Sequence, residues 1–194
     1  MIDLLDFDAE TTLGEVLKLL GEPLVKLAVD LERYEKVLEH DRPEVIIECG
    51  TEYGFSANWF AEHSMADVIT IDVRNIAYTH PHPRVRRIIG SSTDAGVIEA
   101  VNILRAGRRT MVSLDSDHSA AHVRAEIEAY GPMVSPGCHL VVEDTAIAFF
   151  PDRDEVGSPL DAVEALLDGN RLWTRDTALE GPVSMNPAGW WLRN

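Results

Sequence analysis

The chain has 194 residues, a formal net charge of -16, and hydrophobic and charged fractions that are ordinary for a globular protein. This length is enough for a buried core, and we expect a single domain over residues 1–194. The acidic balance argues against a nucleic-acid surface and against binding to an anionic membrane, because both need clustered Lys and Arg. No apolar run approaches the roughly 20 residues that span a bilayer, so we expect neither nucleic acid nor membrane as a partner.

The cysteines and the first residues both bear on the compartment. Cys49 and Cys138 lie in apolar segments that are typical of strands, where cysteines are normally buried free thiols. Such thiols persist in a reducing compartment. The N-terminal sequence also lacks the basic segment followed by an apolar one that marks a secretory signal. These features predict a cytoplasmic protein.

Two helices are predicted in residues 1–40, ahead of the sheet. The first is indicated by apolar residues at helical spacing and a glycine that can end the helix, at Leu13, Val16, Leu17, Leu20 and Gly21. The second is expected to have Asp30 as its N-cap and to carry the same spacing of apolar residues, at Leu31, Tyr34, Val37 and Leu38. Arg42-Pro43 then ends the pattern, because the residue before a proline disfavours the helical conformation.

Residues 44–194 form the predicted core, in which apolar runs alternate with amphipathic ones. We predict strands at Val45–Cys49, Val68–Asp72, Val85–Ile89, Thr110–Asp115 and His139–Glu143. Helices are predicted between them at Ser56–His63, Thr93–Ala106 and Ser119–Tyr130. Continuous apolar strands joined by helices are typical of a parallel sheet that is covered on both faces.

The C-terminal part predicts a different connection. A helix that begins at Ser158-Pro159 and ends at Gly169 is followed by two strand patterns, Arg171–Arg175 and Gly189–Leu192, with little room for a helix between them. Strands joined in this way pair antiparallel. We therefore predict a doubly wound α/β fold whose sheet is mostly parallel, with the last strand antiparallel. The charged, turn-rich segment Phe149–Gly157 is expected to form a loop over the site.

The loop after the first strand bears on the cofactor. Gly50 and Gly54 let a ligand approach the backbone closely, but the third glycine of a dinucleotide site is missing. Glu48 and Glu52 flank the loop, and their charge would repel a pyrophosphate. It would suit a ligand that carries an ammonium and a sulfonium, as S-adenosylmethionine does. The alternative is an ordinary tight turn with two surface acids.

Asp72 ends the second predicted strand, where an acid can hold both ribose hydroxyls of such a cofactor. Asp115, which ends the fourth predicted strand, reaches the same edge, because the carboxyl ends of parallel strands meet there. The predicted cofactor-binding residues are Glu48, Gly50, Thr51, Tyr53, Gly54, Ser56, Asp72, Val73, Ser91, Ser92 and Asp115.

Carboxylates also follow the fourth and fifth predicted strands. Asp115 ends one strand, and Glu143 and Asp144 end the next, so all should converge at the carboxyl edge. Carboxylates brought together repel one another unless something cationic joins them. An all-oxygen set suits Mg²⁺, and we predict Asp115, Glu143 and Asp144 as its ligands. The alternative is a set of capping acids at strand-to-helix turns.

His118 lies close to Asp115 in the sequence and is predicted to be a general base beside the metal. The alternative is a structural role at the start of the next helix. His118 and His122 could share a helix face, as zinc ligands do. A zinc-protease motif needs Glu directly after its first His, and Ser119 is there instead. We therefore do not expect a zinc site.

These residues together resemble the cephalosporin hydroxylase-type family, whose members include cephamycin 7-hydroxyl, rhamnosyl and macrolide-sugar O-methyltransferases. The resemblance runs from about Lys26 to Arg193. Its most specific parts are the Asp-x-x-His motif that begins at Asp115 and the Glu-Asp-Thr motif that begins at Glu143. The segments that carry it are Asp30–Tyr34 with Arg42-Pro43, Val45–Thr51, Leu114–His118, Val134–Thr145, Gly157–Pro159 and Asn186–Gly189.

The resemblance implies a Rossmann-like methyltransferase fold, Mg²⁺ at the positions of Asp115, Glu143 and Asp144, and a base at His118. It also implies a homo-oligomer. The chain departs from the family at two loops. Gly54-Phe55-Ser56 replaces the frequent Gly-Gly-Ser, and Gly90-Ser91-Ser92 replaces the frequent Gly-Asp-Ser that contacts adenine.

We therefore expect transfer of a methyl group from S-adenosylmethionine to a hydroxyl of a small secondary metabolite or sugar. Mg²⁺ would lower the pKa of that hydroxyl, and His118 would take its proton. A nicotinamide-dependent oxidoreductase is one alternative, against which Glu52 and the missing third glycine count. A non-catalytic protein that binds S-adenosylmethionine is another, against which the intact acids and His118 count.

Overall fold

The computed structural model describes residues 26–76, 82–150 and 157–194. The predicted helix that ends at Gly21 lies outside these residues, and so does most of the predicted loop Phe149–Gly157. Within the described part, no helix is long and apolar enough to cross a membrane.

The helix ahead of the sheet, α1, spans Ala28–Asp41, and Arg42 ends it in the left-handed conformation. Its apolar face, with Tyr34 and Val37, is buried as the spacing predicts. The predicted N-cap is wrong, because Leu27 takes that position and Asp30 lies in the first turn. The buried Asp30 carboxylate instead accepts hydrogen bonds from the Ser184 hydroxyl and the Met185 N–H, so it ties α1 to the loop before the last strand.

The sheet has seven strands in the order β3-β2-β1-β4-β5-β7-β6. The first five are parallel, and β7 runs antiparallel to both β5 and β6. This is the predicted doubly wound, mostly parallel sheet with its last strand antiparallel. The strands are β1 Val45–Cys49, β2 Asp67–Asp72, β3 Val85–Ile89, β4 Thr110–Leu114, β5 His139–Val142, β6 Trp173–Arg175 and β7 Trp190–Arg193.

Four further α-helices are α2 Phe55–Glu62, α3 Ala95–Arg105, α4 Ala120–Tyr130 and α5 Pro159–Leu166. They agree with the predicted positions to within a few residues. Short 3₁₀ turns follow at Gly131–Met133, Thr145–Phe149 and Thr177–Leu179. Ser158 and Asp161 form a capping box that starts α5, with Pro159 in the first turn where its missing N–H costs nothing.

Two apolar clusters cover the faces of the sheet, because successive strand residues point to opposite sides. Ile46 of β1 packs with α1 and α2, whereas Val45 and Ile47 pack on the side of α3, α4 and α5. The chain leaves β1 toward β2 on one side and returns to β4 on the other. The carboxyl ends of β1 and β4 therefore border the crevice where ligands bind in such sheets.

Candidate active site

A cavity of about 490 Å³ opens at this crevice. Most of the residues that were predicted to bind the cofactor, to bind the metal or to act on the acceptor border this cavity. Those residues are Gly50, Thr51, Tyr53, Ser56, Asp72, Val73, Ser91, Ser92, Asp115, His118 and Asp144. Glu48, Gly54 and Glu143 were predicted for the same site but are not among its lining residues. The topology thus brings the two groups of acids to one cavity.

The first loop is shaped by glycine at Gly50, whose φ of 102° lies in the left-handed region. A Cβ at this position would overlap the backbone carbonyl of Asp115, so only glycine lets the loop lie against the end of β4. The Asp115 N–H also donates to the Cys49 carbonyl. The loop that was predicted to meet the cofactor is therefore in contact with the first residue of the acid cluster.

Asp72 is held at the end of β2 by the backbone. Its Oδ2 accepts the Glu52 N–H at 2.7 Å, and its Oδ1 accepts the Arg74 N–H at 2.7 Å. The carboxylate is therefore fixed in orientation, and it borders the cavity. Arg74, which the sequence analysis did not single out, also borders the cavity and lies 3.7 Å from Asp72 Oδ1 through its Nε.

Glu48 lies beneath the loop and is fully buried. It shares the face of β1 that carries Ile46, so its carboxylate points into the α1 and α2 side of the sheet. Thr70 donates to its Oε2 at 2.5 Å. Burial raises the pKa of Glu48 to about 7, against the opposing effects of Lys26, Ser56 and Thr70. Glu48 thus supports the loop from below.

The predicted metal ligands occupy two different environments. The side chains of Asp115 and Asp144 are 15% and 27% exposed and face the cavity, whereas that of Glu143 is 5% exposed. Glu143 Oε1 accepts hydrogen bonds from the Tyr34 and Ser113 hydroxyls, each at 2.7 Å. Burial raises the pKa of Glu143 to about 7, although Lys26 opposes the shift.

Lys26 is the main residue that sequence reasoning missed. Its Nζ lies 2.8 Å from Asp115 Oδ2 and 2.6 Å from each carboxylate oxygen of Glu143. Burial alone would lower the pKa of Lys26, but Asp115 and Glu143 outweigh it and raise the pKa. Burial alone would raise the pKa of Asp115, but the same ammonium outweighs burial and, with His118, holds that pKa below its ordinary value. The sequence did indicate that the clustered carboxylates need a cation between them. We predicted that this cation is a metal ion, whereas in the structure it is the Lys26 ammonium.

His118 lies between the two acids that border the cavity. Its Nε2 is 3.4 Å from Asp115 Oδ1 and 3.4 Å from Asp144 Oδ2. The hydrogen bond to Asp115 raises the pKa of His118, against the effect of its partial burial. One ligand atom each from Asp115, His118 and Asp144 lies within 4.8 Å of the others, a spacing that a metal ion could occupy.

His122 also borders the cavity, on the side of the third strand. Its Nε2 lies 3.0 Å from the Ser92 hydroxyl and 3.4 Å from the fully buried Glu126 carboxylate. His122 is not one of the three residues, Asp115, His118 and Asp144, whose ligand atoms lie within 4.8 Å of one another. From the sequence it was considered only as a zinc ligand, and its place beside Ser92 depends on packing between α4 and the loop after β3.

The chain matches the family model described as rhamnosyl O-methyltransferase/CmcI over residues 12–194, and it therefore belongs to that family. The resemblance inferred from the motifs is confirmed. A rhamnosyl O-methyltransferase of Mycobacterium bovis (strain BCG) is 35% identical over 157 residues, which cover 74% of this chain. The matched region spans 63% of the length of that relative.

Solved structures of related fold include CmcI with Mg and SAM, which has a TM-score of 0.68 at 19% identity and covers 88% of this chain and 73% of that one. MycE from the mycinamycin biosynthetic pathway, in complex with Mg and SAH, has a TM-score of 0.56 at 23% identity. The match covers 71% of this chain and 39% of the MycE chain. These likenesses establish the methyltransferase-type fold.

Proposed function

We propose that this protein is an S-adenosylmethionine-dependent O-methyltransferase that acts on a hydroxyl of a sugar or another small secondary metabolite. The observation that carries the proposal is the single cavity that Asp72 borders on one side and Asp115, His118 and Asp144 border on the other. A methyl donor and a hydroxyl acceptor need such adjoining sites. Membership of the rhamnosyl O-methyltransferase/CmcI family supports the same reaction.

The donor would lie along the first loop, over the residues predicted for it. Asp72 is oriented by two backbone N–H groups, and its remaining acceptor capacity suits the two ribose hydroxyls. Thr51 and Ser56 supply hydroxyls on the same wall, and Ser91 and Ser92 follow on the far side. Relatives of the fold carry this cofactor or its product, namely CmcI with SAM and MycE with SAH.

His118 would remove the proton from the acceptor hydroxyl. The oxygen then forms a bond to the methyl carbon while the carbon–sulfur bond breaks, which leaves S-adenosylhomocysteine. The carboxylates of Asp115 and Asp144, each 3.4 Å from His118 Nε2, would stabilise the imidazolium that results. The raised pKa of His118 accords with that charge stabilisation. Holding the oxygen and the methyl group in line supplies much of the acceleration.

The acids at the cavity fit a divalent cation in their chemistry. Asp115 and Asp144 present carboxylate oxygens, the ligands that Mg²⁺ prefers, at an opening large enough for water and substrate oxygens. These two residues, with Glu143 behind them, would hold Mg²⁺, which supplies a positive charge that lowers the pKa of the acceptor hydroxyl. Glu143 can join them only after it leaves Lys26, because that ammonium contacts both of its carboxylate oxygens.

The remaining expectations stand as part of the same proposal. We take residues 1–194 as a single methyltransferase domain. The free, buried thiols of Cys49 and Cys138 support a reducing compartment, the cytoplasm. Homo-oligomer formation is proposed on the family resemblance.

Calorimetric titration with S-adenosylhomocysteine tests the cofactor half of the proposal. The wild type should bind with a Kd of about 1 μM, and Asp72→Ala should weaken binding by about 1–3 kcal/mol, the scale of lost hydrogen bonds to a charged group. Asp67→Ala is the matched control, because Asp67 begins the same strand at the opposite edge of the sheet. Binding of NADH in place of S-adenosylhomocysteine, or equal affinity of the Asp72 variant and the wild type, would contradict the assignment.

A further inference from the structure

A lysine side chain lies where the carboxylates at the carboxyl edge come closest together. Lys26 Nζ contacts Asp115 Oδ2 at 2.8 Å and both oxygens of Glu143 at 2.6 Å. The ammonium also lies 5.9 Å from the centre of the Tyr34 ring, within reach of a cation–π interaction. It therefore occupies the position between the two acids that a metal ion would need.

This contact is buried and well paired. The side chain of Lys26 is 4% exposed and that of Glu143 is 5% exposed. A buried ammonium is tolerated only where opposite charges surround it, and a buried carboxylate only where donors satisfy it. Glu143 meets this condition with Lys26, Tyr34 and Ser113 as donors. The cluster is thus complete as it stands, and any new cation must displace a partner that is already there.

A divalent cation cannot share this position with the ammonium. Mg²⁺ binds carboxylate oxygens at about 2.0–2.1 Å, so an ion bound to both Asp115 Oδ2 and Glu143 would lie almost on top of Nζ. Like charges at that separation repel strongly in a buried site. Asp144 and His118 remain outside the contact and face the cavity, so an arriving ion can approach from that side.

We propose that the Lys26 ammonium and a divalent cation are alternative occupants of the position between Asp115 and Glu143, so that Lys26 sets the metal affinity of the protein. The inference rests on the metal site of the proposed function. Metal binding expels Lys26 from the carboxylates, and Lys26 in turn stabilises the two acids when no metal is bound. Helix α1 remains in place during the exchange, because Val37 and Leu38 of its apolar face are buried in the core cluster on this side of the sheet.

Titration with Mg²⁺, and with Mn²⁺ as a second probe, tests the competition directly. Lys26→Met keeps the aliphatic length and removes the charge, and it should bind the metal about 10- to 100-fold more tightly than the wild type, a range usual for coupled ligands. Lys36→Met is the matched control, because Lys36 is an exposed lysine on α1, the helix that Lys26 precedes, and it should bind as the wild type does. Equal affinity of the Lys26 variant and the wild type, or weaker binding by the variant, overturns the proposal.

Amine labelling of the wild-type protein gives a test that needs no variant. Without metal, buried Lys26 should resist acetylation by an N-hydroxysuccinimide ester, and saturating Mg²⁺ should make it reactive, as measured by peptide mass spectrometry. Lys36 should react equally under both conditions. Lys26 that stays unreactive while calorimetry shows bound metal would overturn the proposal and leave the metal site intact. Absence of metal binding by the wild type and by Lys26→Met would overturn both, whereas S-adenosylhomocysteine binding would still support the cofactor site.

Discussion

Strand β5 has a cluster of histidine and carboxylate side chains at each of its ends, and the two clusters differ in how their bonds are made. At the start of the strand, fully buried Asp41 accepts the His139 N–H at 2.7 Å through Oδ2 and contacts the His139 ring at 2.7 Å through Oδ1. At the other end, His118 lies 3.4 Å from Asp115 and Asp144 beside an open cavity. The first cluster comprises Asp41, His139 and the exposed His40, and we call it the closed cluster because its Asp41–His139 pair is buried and has short contacts. The second comprises Asp115, His118 and Asp144, and we call it the open cluster because it borders the cavity and has longer contacts.

The difference shows how the same residue types serve two purposes. Both clusters bring three potential ligand atoms within 4.8 Å of one another, so residue type and spacing alone do not separate them. In the Asp41 cluster, the hydrogen bonds between Asp41 and His139 join the end of α1 to the start of β5. These bonds stabilise the fold. The His118 cluster keeps acceptor capacity and an imidazole directed at a space that a ligand can enter. Open geometry at a cavity is therefore the reason that we propose the His118 cluster, and not the Asp41 cluster, as the functional one.

The largest effect should come from removing the open imidazole. His118→Ala should lower the turnover of methyl transfer by about 10²- to 10⁴-fold, the usual range for general acid–base catalysis. The affinity for S-adenosylhomocysteine should stay close to that of the wild type, because the proposal places His118 beside the acceptor and not beside the cofactor. Higher pH should partly restore turnover, since hydroxide can then take the proton.

The control is His63→Ala, because His63 is exposed and stacks on Trp59 away from the cavity. It should leave turnover within about twofold of the wild type, as surface substitutions usually do. If folded His118→Ala protein turned over at a near-normal rate and only melted earlier, His118 would be a structural residue like His139. The distinction between the two clusters would then be lost.

At the closed cluster we expect a smaller effect, on the stability of the protein and not on its turnover. His139→Leu removes the ring that contacts the buried Asp41 carboxylate, while the backbone N–H of residue 139 and the His40 ring still contact it. The substitution should reduce the free energy of unfolding by about 2–3 kcal/mol, the scale of a hydrogen bond to a charged group. Urea denaturation followed by circular dichroism measures this loss. The affinity for S-adenosylhomocysteine should not change. A variant that lost cofactor affinity without losing stability would show that the closed cluster also serves the site.

The sequence predicted the sheet well because each strand is a short apolar run bounded by turn residues. It also brought the acids to the correct edge, since the carboxyl ends of parallel strands must meet. It could not determine which way each acid points. Glu143 and Asp144 are neighbours, yet Glu143 turns toward Tyr34 and Asp144 toward the cavity. That choice depends on donors from β4 and α1, which lie far away in the sequence.

Contacts between distant segments account for the other differences. Asp30 has the residue type of a helix cap, but its partners are Ser184 and Met185, and no local pattern predicts that pairing. In the sequence, nothing distinguishes Lys26 from a surface lysine. In the structure, its ammonium contacts Asp115 and Glu143, which follow β4 and β5. The motifs predicted that Asp115, His118 and Asp144 come together at one cavity, whereas the identity of the cation nearest to the acids required the tertiary structure.

The smallest effect is the pH dependence of the closed cluster. Burial would lower the pKa of His139 from its model-peptide value of 6.5, but the Asp41 and Asp176 carboxylates outweigh burial, so the pKa is raised. A raised folded-state pKa means that the stabilisation from protonated His139 is fully present below pH 6.5 and is lost as the pH rises through the folded-state pKa. The groups that face His139 are Asp41, Asp176 and His40, so the imidazolium has one carboxylate at each ring nitrogen and a second imidazole with its ring centre 5.6 Å away.

Urea denaturation of the wild type and of His139→Leu across about pH 6 to 8.5 isolates this contribution, because the other titrating groups are common to both proteins. The stability advantage of the wild type should be greatest at the acidic end and should shrink with rising pH, by no more than about 1.4 kcal/mol per pH unit. The neutral ring still donates one hydrogen bond to Asp41, so part of the advantage should persist at the alkaline end. An advantage that is constant across the range would mean that His139 is neutral throughout. The closed cluster would then be held by hydrogen bonds alone, and the charge of its imidazole would play no part in joining α1 to the sheet.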